Sequence, residues 1–420
     1  MTDWRPRWTS TTAWILYDMA NTVFALGVGS RYFGLWVVEA QGRPDSYIGL
    51  ATIVAMVVVI LVAPWIGALS DHFGKRRWLL TALTLVAVTA TAFLASGDVT
   101  TSLALYAAGT VAFHLATVVY DAMLTDVSTT RTRGRISGLG VAVGYLGSLT
   151  ALGIGALLLG RFGYAVVFRG LAVAFLAFAL PAFFLIRERP RARRQGRPPG
   201  ILESPRLLVD AWRVAARYRG VVPFLFGRFL YTDAINTFFL FNAIYVKSEL
   251  GYTDGQTDVV AALSVTAAVA GSLIGGRLVD LIGPRRVLHA GLYALMVSVI
   301  TAVAAAVAHV PALGVAAGLT GGLGIGATWT SDRVYMTCVS PPRHLGELFG
   351  LYASVGRFAT VLGPIMWALI VDVIGWGRPA ALGILGIFLL FARAVLGSVD
   401  DVSRIWSAEE GDAAQLVGLA

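Results

Sequence analysis

Asp18 and Asn21 interrupt one long apolar stretch of the chain, and Asp233 and Asn236 interrupt another. Residues three apart lie on one helix face. A carboxylate held in apolar surroundings can bind a substrate ammonium, or take up a proton once burial raises its affinity for one. The competing reading is a hydrogen-bond network that holds the two segments in place. Arg357 lies deep in a third stretch, roughly 15 Å from its end at 1.5 Å per residue. An arginine there keeps its charge and must meet an anion. That anion is a substrate carboxylate or phosphate, or Asp18 or Asp233 when the site is empty. Tyr17 stands beside Asp18, and Tyr145 aligns with Arg357 in the repeat described below. Arg228 is shallower; it can bind the same anion, reach the interface or pair with Asp233. His114 is either a proton relay or a hydrogen bonder between helices.

No nucleophile with a base stands out, and no metal-ligand cluster, so the chain does not read as an enzyme. Cys338 is the only cysteine, which excludes an intrachain disulfide. The run Gly138-x-Gly140-x-x-x-Gly144-x-x-Gly147 follows no strand and lacks a Lys-Ser/Thr pair, so it reads as close helix packing rather than a nucleotide loop. No cofactor is expected, and ATP is not the energy source.

These polar groups must be positioned by membrane helices. Of 420 residues, 57% are hydrophobic and only 14% charged, far too few to cover a soluble protein of this size. The charges cluster between apolar stretches of about 20 residues or more, each enough to cross a hydrocarbon core as a helix. Period-two alternation is absent, which excludes a barrel. A charge at the bilayer centre costs at least about 2.5–3.5 kcal/mol, so the buried ones need a reason. Spans are expected near 12–37, 47–70, 77–97, 101–128, 134–160 and 163–186, then 220–246, 256–281, 285–307, 310–338, 345–374 and 378–398.

The net charge of +9 is explained by position, not by nucleic acid. Lys75, Arg76 and Arg77, then Arg131, Arg133 and Arg135, then Arg285 and Arg286, then Arg343 fall in alternate connections. The others carry acids, as at Glu39, Asp45, Asp98, Glu249 and Asp254. The positive-inside rule puts both termini and the basic connections in the cytoplasm of a cell-membrane protein. The first span is too long, and too polar at Asp18, Asn21 and Arg31, to be a signal peptide. Four segments result: a six-helix half at 1–186, a basic linker at 187–219, a second half at 220–400 and a tail at 401–420. The linker holds six arginines between Arg187 and Arg197, and from Pro205 it turns amphipathic. Leu207, Leu208, Ala211, Trp212 and Ala215 lie opposite Arg206, Asp210, Arg213 and Arg217, as in a helix on the membrane surface.

An internal repeat joins the halves. Asp18-Met-Ala-Asn21-Thr22-Val-Phe24 matches Asp233-Ala-Ile-Asn236-Thr237-Phe-Phe239. Gly67-Ala-Leu69-Ser-Asp71-His-Phe-Gly74-Lys-Arg76-Arg77 matches Gly276-Arg-Leu278-Val-Asp280-Leu-Ile-Gly283-Pro-Arg285-Arg286. Thr125, Val127, Ser128, Arg131, Gly134, Gly138 and Leu139 match Thr337, Val339, Ser340, Arg343, Gly346, Gly350 and Leu351. The expected fold is therefore all-α, with twelve transmembrane helices in two pseudo-symmetric six-helix halves and a substrate site near the midplane.

The stretch Gly67 to Arg77, with its weaker copy at Gly276 to Arg286, resembles the signature loop of the major facilitator superfamily. Three further stretches are similar to its vacuole-effluxer-like branch, whose fungal members export amino acids from the vacuole. They are Trp14 to Asn21, Gly134 to Gly147, and Gly346 to Tyr352 with Gly363-Pro364. Asp121 departs from the pattern, where a neutral polar residue is expected. The resemblance implies a secondary transporter that alternates access between its halves. Asp71 is expected to latch the cytoplasmic side through Arg131 and the start of span eleven, since a carboxylate suits both a guanidinium and a helix N-terminus. Asp280 with Arg343 would be the matching latch. Asp332 and Arg333, with Asp121 and Asp126, read as gate ion pairs. Together these features predict a monomeric, proton-coupled exporter of a small polar metabolite, an amino acid or similar zwitterion or anion. Asp18, Asp233 and His114 would carry the proton. A lipid flippase of the same fold and a transport-derived sensor without flux are the alternatives.

Overall fold

The computed structural model describes residues 6–44, 46–189, 197–360 and 362–399. The middle of the expected basic linker, Asp45 and the expected tail lie outside the described residues. Helix α1 (Trp8–Phe24) continues through π-helical turns at Ala25–Tyr32 and Trp36–Ala40. It is followed by α2 (Ser46–Phe73), α3 (Arg77–Ala92) and α4 (Val99–Ala122). Helix α5 (Arg133–Leu185) has 53 residues, about 80 Å at 1.5 Å per residue and far more than one bilayer needs. It is broken at Gly163, whose φ of 75° a β-carbon would resist, so two rods meet there. Then come α6 (Ser204–Arg217), α7 (Val221–Leu250), α8 (Asp254–Ile282), α9 (Pro284–Val307) and α10 (Ala312–Val339). The last long segment is α11 (Leu345–Phe358) and α12 (Leu362–Ala368), closed by π turns at Leu369–Ile374 and followed by α13 (Gly377–Gly397).

Among the described residues every element is helical, consistent with the expected spans, and no strand occurs. Eight helices among the described residues are long and apolar enough to cross a membrane. Large apolar side chains such as Leu157, Phe184, Val173 and Ile300 are exposed. In a soluble protein so many would be a liability; in a bilayer they face lipid.

Two compact units emerge, and they do not follow the sequence halves throughout. The first comprises described residues of Met1–Thr129, Val143–Trp212 and Pro342–Ser354. The second comprises those of Thr130–Ala142, Arg213–Pro341 and from Val355 onward. The opening of α5 thus packs with the second unit, and the opening of α11 with the first.

In the first unit Trp14 stacks on Tyr120 at 4.5 Å, and Tyr17 on the same ring at 5.0 Å. Trp14 donates its indole N–H to the Tyr120 carbonyl at 3.0 Å, so the polar end of a wholly buried ring is satisfied. Pro64 inside α2 deprives the Ile60 carbonyl of its helical donor. The Ser354 hydroxyl supplies one at 2.9 Å. In the second unit, α10 lies against α8 with almost no side chain between them. A Cβ at Gly322 or Gly326 would overlap the carbonyl oxygen of Ser264 or Ala268, the close approach that small residues permit in membranes. Outside the spans, Asp98 caps α4, accepting the N–H groups of Thr100 and Thr101. The Thr101 hydroxyl also donates to it and holds its carboxyl below the usual range.

Candidate functional site

The repeated loops build two matching clusters. In the first unit, Asp71 accepts the N–H groups of Gly346 and Glu347, both at 3.1 Å. These are free donors because they lie in the first turn of α11. The backbones come this close because Gly67 and Gly346 face each other: a Cβ on Gly67 would strike the Gly346 carbonyl. Asp71 also takes the guanidinium of Arg76 at 3.0 Å. Arg76 is wholly buried, donates to the Ala122 carbonyl at 2.9 Å and lies 3.8 Å from Asp126. The chain after α5 closes the cluster. Glu188 accepts the N–H of Arg76 and, at 2.8 Å, that of Arg77, while Asp126 accepts the N–H of Arg189 at 3.2 Å.

In the second unit Asp280 accepts the N–H groups of Gly134 at 2.7 Å and Arg135 at 3.1 Å, the first turn of α5. Gly134 and Gly276 make the close approach here. Gly74 and Gly283, with φ of 63° and 89°, turn the chain after each carboxylate. Arg333 extends this cluster by donating to the hydroxyl and carbonyl of Ser137, both at 2.7 Å.

Two expected pairings are corrected. Asp71 pairs with Arg76, not with Arg131, whose side chain is exposed. Asp280 pairs with Arg135 at 3.4 Å, not with Arg343. The reason is that the contacts cross the repeat: each carboxylate, in the last turn of its helix, grips the helix opening of the other sequence half, so its guanidinium partner comes from there or from the loop that follows it.

The intramembrane candidates fall into separate groups. In the first unit Asp18 is half-buried beside Gly144. Asn21 is buried, and Tyr17 shares a hydrogen bond of 2.5 Å with Thr84. His114 is half-buried beside the Phe113 ring. In the second unit Arg228 is buried and paired with Asp332, over the face of Trp329. Tyr231 donates to the other oxygen of Asp332 at 2.6 Å. The expected options of reaching the interface or pairing with Asp233 therefore do not describe Arg228. Asp233 is fully buried and accepts the N–H of Gly363 at 2.8 Å. Asn236 and Arg357 are half-buried. Sequence reasoning missed Glu188 and the inward turn of Arg76, because a basic loop beside a span reads as a topology signal. It also missed Tyr231, a neutral residue with no pattern of its own.

The family described as "Vacuole effluxer Atg22 like" matches residues 124–404. A Bacillus subtilis protein named as an uncharacterized MFS-type transporter, YxiO, is 25% identical over 95% of this chain and 97% of its own length. Autophagy-related protein 22 of Botryotinia fuckeliana is 25% identical over 70% of this chain and 54% of its own length. Among solved structures, the human organic anion transporter MFSD10 superposes with a TM-score of 0.73 at 17% identity, covering 92% of this chain and 98% of that one. The proton:xylose symporter XylE gives 0.71 at 14% identity, covering 93% and 94%. The fold and the repeated loops define a multi-pass membrane transporter of the major facilitator superfamily, not an enzyme. Within it, the chain belongs to the Atg22-like vacuole effluxer family.

Proposed function

We propose that this transporter moves a small polar metabolite, an amino acid or similar zwitterion or anion, by alternating access, and that it exports it in exchange for protons. The observation that supports gating is the crossed pair of clusters: Asp71 on Gly346 and Glu347, and Asp280 on Gly134 and Arg135. A charged hydrogen bond of this kind is worth about 1.5–3 kcal/mol, enough to shift a two-state population roughly tenfold or more. Such a contact can latch one side and still let go. Substrate binding is assigned to Tyr17, Asp18, Asn21, Tyr145, Asp233, Asn236 and Arg357. Arg228 enters this set only if an anion displaces Asp332. Asp18 and Asp233 carry the proton, with His114 as relay. The reading places the protein as a monomer in the cell membrane, both termini in the cytoplasm, for the charge asymmetry of its connections.

A metabolite library screened by thermal unfolding of the purified protein tests the substrate class, since a ligand of the native state raises its apparent stability. A small zwitterion or anion should raise the midpoint. Stabilisation by lipids alone would favour the flippase reading instead.

A further inference from the structure

Helices α9 and α13 pack against each other in the second unit, the start of one beside the end of the other. Arg285, in the first turn of α9, donates to the carbonyl of Gly397, the last residue of α13, at 2.7 Å. Further along, a Cβ on Gly386 of α13 would stand 3.1 Å from Val299 of α9. Each helix keeps one face outward. Arg286, Tyr293, Val297 and Ile300 follow one another along α9, and Ile387 and Phe391 along α13, all of them exposed. Residues at these spacings share a helix face, and in a bilayer such a face meets lipid.

Arg393 lies four residues before the end of α13, about 6 Å along the axis. An arginine at that level can turn outward to the interface. This one turns inward: its guanidinium lies over the ring of Tyr293, 4.7 Å from the centroid. Tyr293 stands nine residues after Pro284, about 14 Å along α9. Side chains tilt toward the N-terminus of their helix, and α13 begins at the opposite end, which gives Arg393 this direction. Its Nε is buried without a hydrogen-bond partner, and no carboxylate pairs with it among the described residues.

A ring face attracts a cation but does not neutralise it. The guanidinium keeps its charge, and a charge at this depth calls for an anion. The anion comes from outside the chain, and what lies against these outward faces is lipid. A phosphodiester presents the paired oxygens that a guanidinium binds with two parallel bonds. Acyl chains then run along Val297, Ile300 and Ile387. Arg286 heads the same stripe as Tyr293, seven residues earlier, and its charge favours a headgroup of net negative charge. Basic sites between membrane helices bind such headgroups. We infer that Arg393, set by Tyr293, holds the phosphate of one anionic phospholipid along the seam of α9 and α13. The inference needs neither the substrate nor the coupling ion of the proposed function.

The test is thermal unfolding of the full-length protein, purified in detergent, with dioleoyl phosphatidylglycerol or dioleoyl phosphatidylcholine added. A lipid that binds the native state raises the midpoint. Phosphatidylglycerol should give a saturable rise that phosphatidylcholine does not match. Arg393→Gln should unfold at the wild-type midpoint without lipid, and should need at least about tenfold more phosphatidylglycerol for half the rise. Arg206→Gln, which removes an exposed arginine on α6, should respond as the wild type does. Equal rises with the two lipids overturn the proposal, and so does an unchanged response in Arg393→Gln. An equal loss in Arg206→Gln would reduce the effect to general charge and overturn it too. Inorganic phosphate alone should give no rise; the same rise with it would mean a site for a free anion, not a lipid. If Arg393→Gln does not fold, Arg393→Lys, which loses the fork, takes its place under the same criterion. A rise that Arg393 controls reports this outer seat rather than transported lipid, so the proposed substrate class stands or falls on its own screen.

Discussion

Arg76 is a wholly buried guanidinium, and its neighbours Asp71 and Asp126 are carboxylates almost without solvent. Removing one member of such a group strands the rest. Arg76→Ala should destabilise the protein by about 3–5 kcal/mol, visible as a large fall in the unfolding midpoint. Arg76→Gln, which keeps donors for Asp71 and the Ala122 carbonyl, should lose less; equal midpoints for the two variants would count against this account. Arg357 is a different case. Arg357→Lys keeps the charge but loses the planar fork, so anion binding should weaken markedly while the fold survives. Normal transport by Arg357→Lys, with mere misfolding of Arg357→Ala, would make the residue structural. Sequence marked Asp71 and Asp280 readily, since their loops repeat with spacing intact. It assigned their guanidinium partners differently because partnership depends on which helix ends touch. Asp332 and Arg228, 104 residues apart, carry no local sign that they meet.

Elements show the same division. Hydropathy located the spans because burial in lipid is a property of length and composition. It is blind to how a helix is wound, so the π turns after Phe24 and Ala368 were not legible, nor was the interruption after Phe358. Glycine spacing announced close packing, and Gly67, Gly134, Gly276 and Gly346 became the contact points of the two clusters. Gly346→Ala should therefore push α11 from α2 and loosen the bonds to Asp71. Asp71→Asn should weaken the same contact electrostatically, leaving substrate affinity from the cytoplasmic side nearly intact but turnover slow. In a Cys338→Ser background, single cysteines at the inner ends of α5 and α11 should then react faster with a maleimide, and outer ones more slowly. Unchanged labelling on both sides would reduce Asp71 to a loop anchor. Ser354 offers a control within the bilayer. Ser354→Ala leaves the Ile60 carbonyl without its replacement donor beside Pro64, at a cost of about 1–3 kcal/mol. Its unfolding midpoint should fall without any change in labelling pattern.

At the scale of the molecule, the repeat is the main lesson. The repeat predicts Asp71 at the start of span eleven, and the same crossing occurs twice: the opening of α11 belongs to the first compact unit and that of α5 to the second. These contacts tie the start of α11 to the last turn of α2, and the start of α5 to the last turn of α8. On the proposed mechanism the inner side opens when these contacts break. The central claim is that such opening carries a small polar metabolite against its gradient at the expense of protons. Its most direct test is flux in proteoliposomes, using the metabolite that stabilises the purified protein most. With an imposed pH gradient the wild type should accumulate it uphill. Asp18→Asn should lose that accumulation while still exchanging internal for external substrate at equal pH. Equal dependence on the gradient in wild type and variant, or no flux at all from a protein that binds the metabolite, would contradict the account.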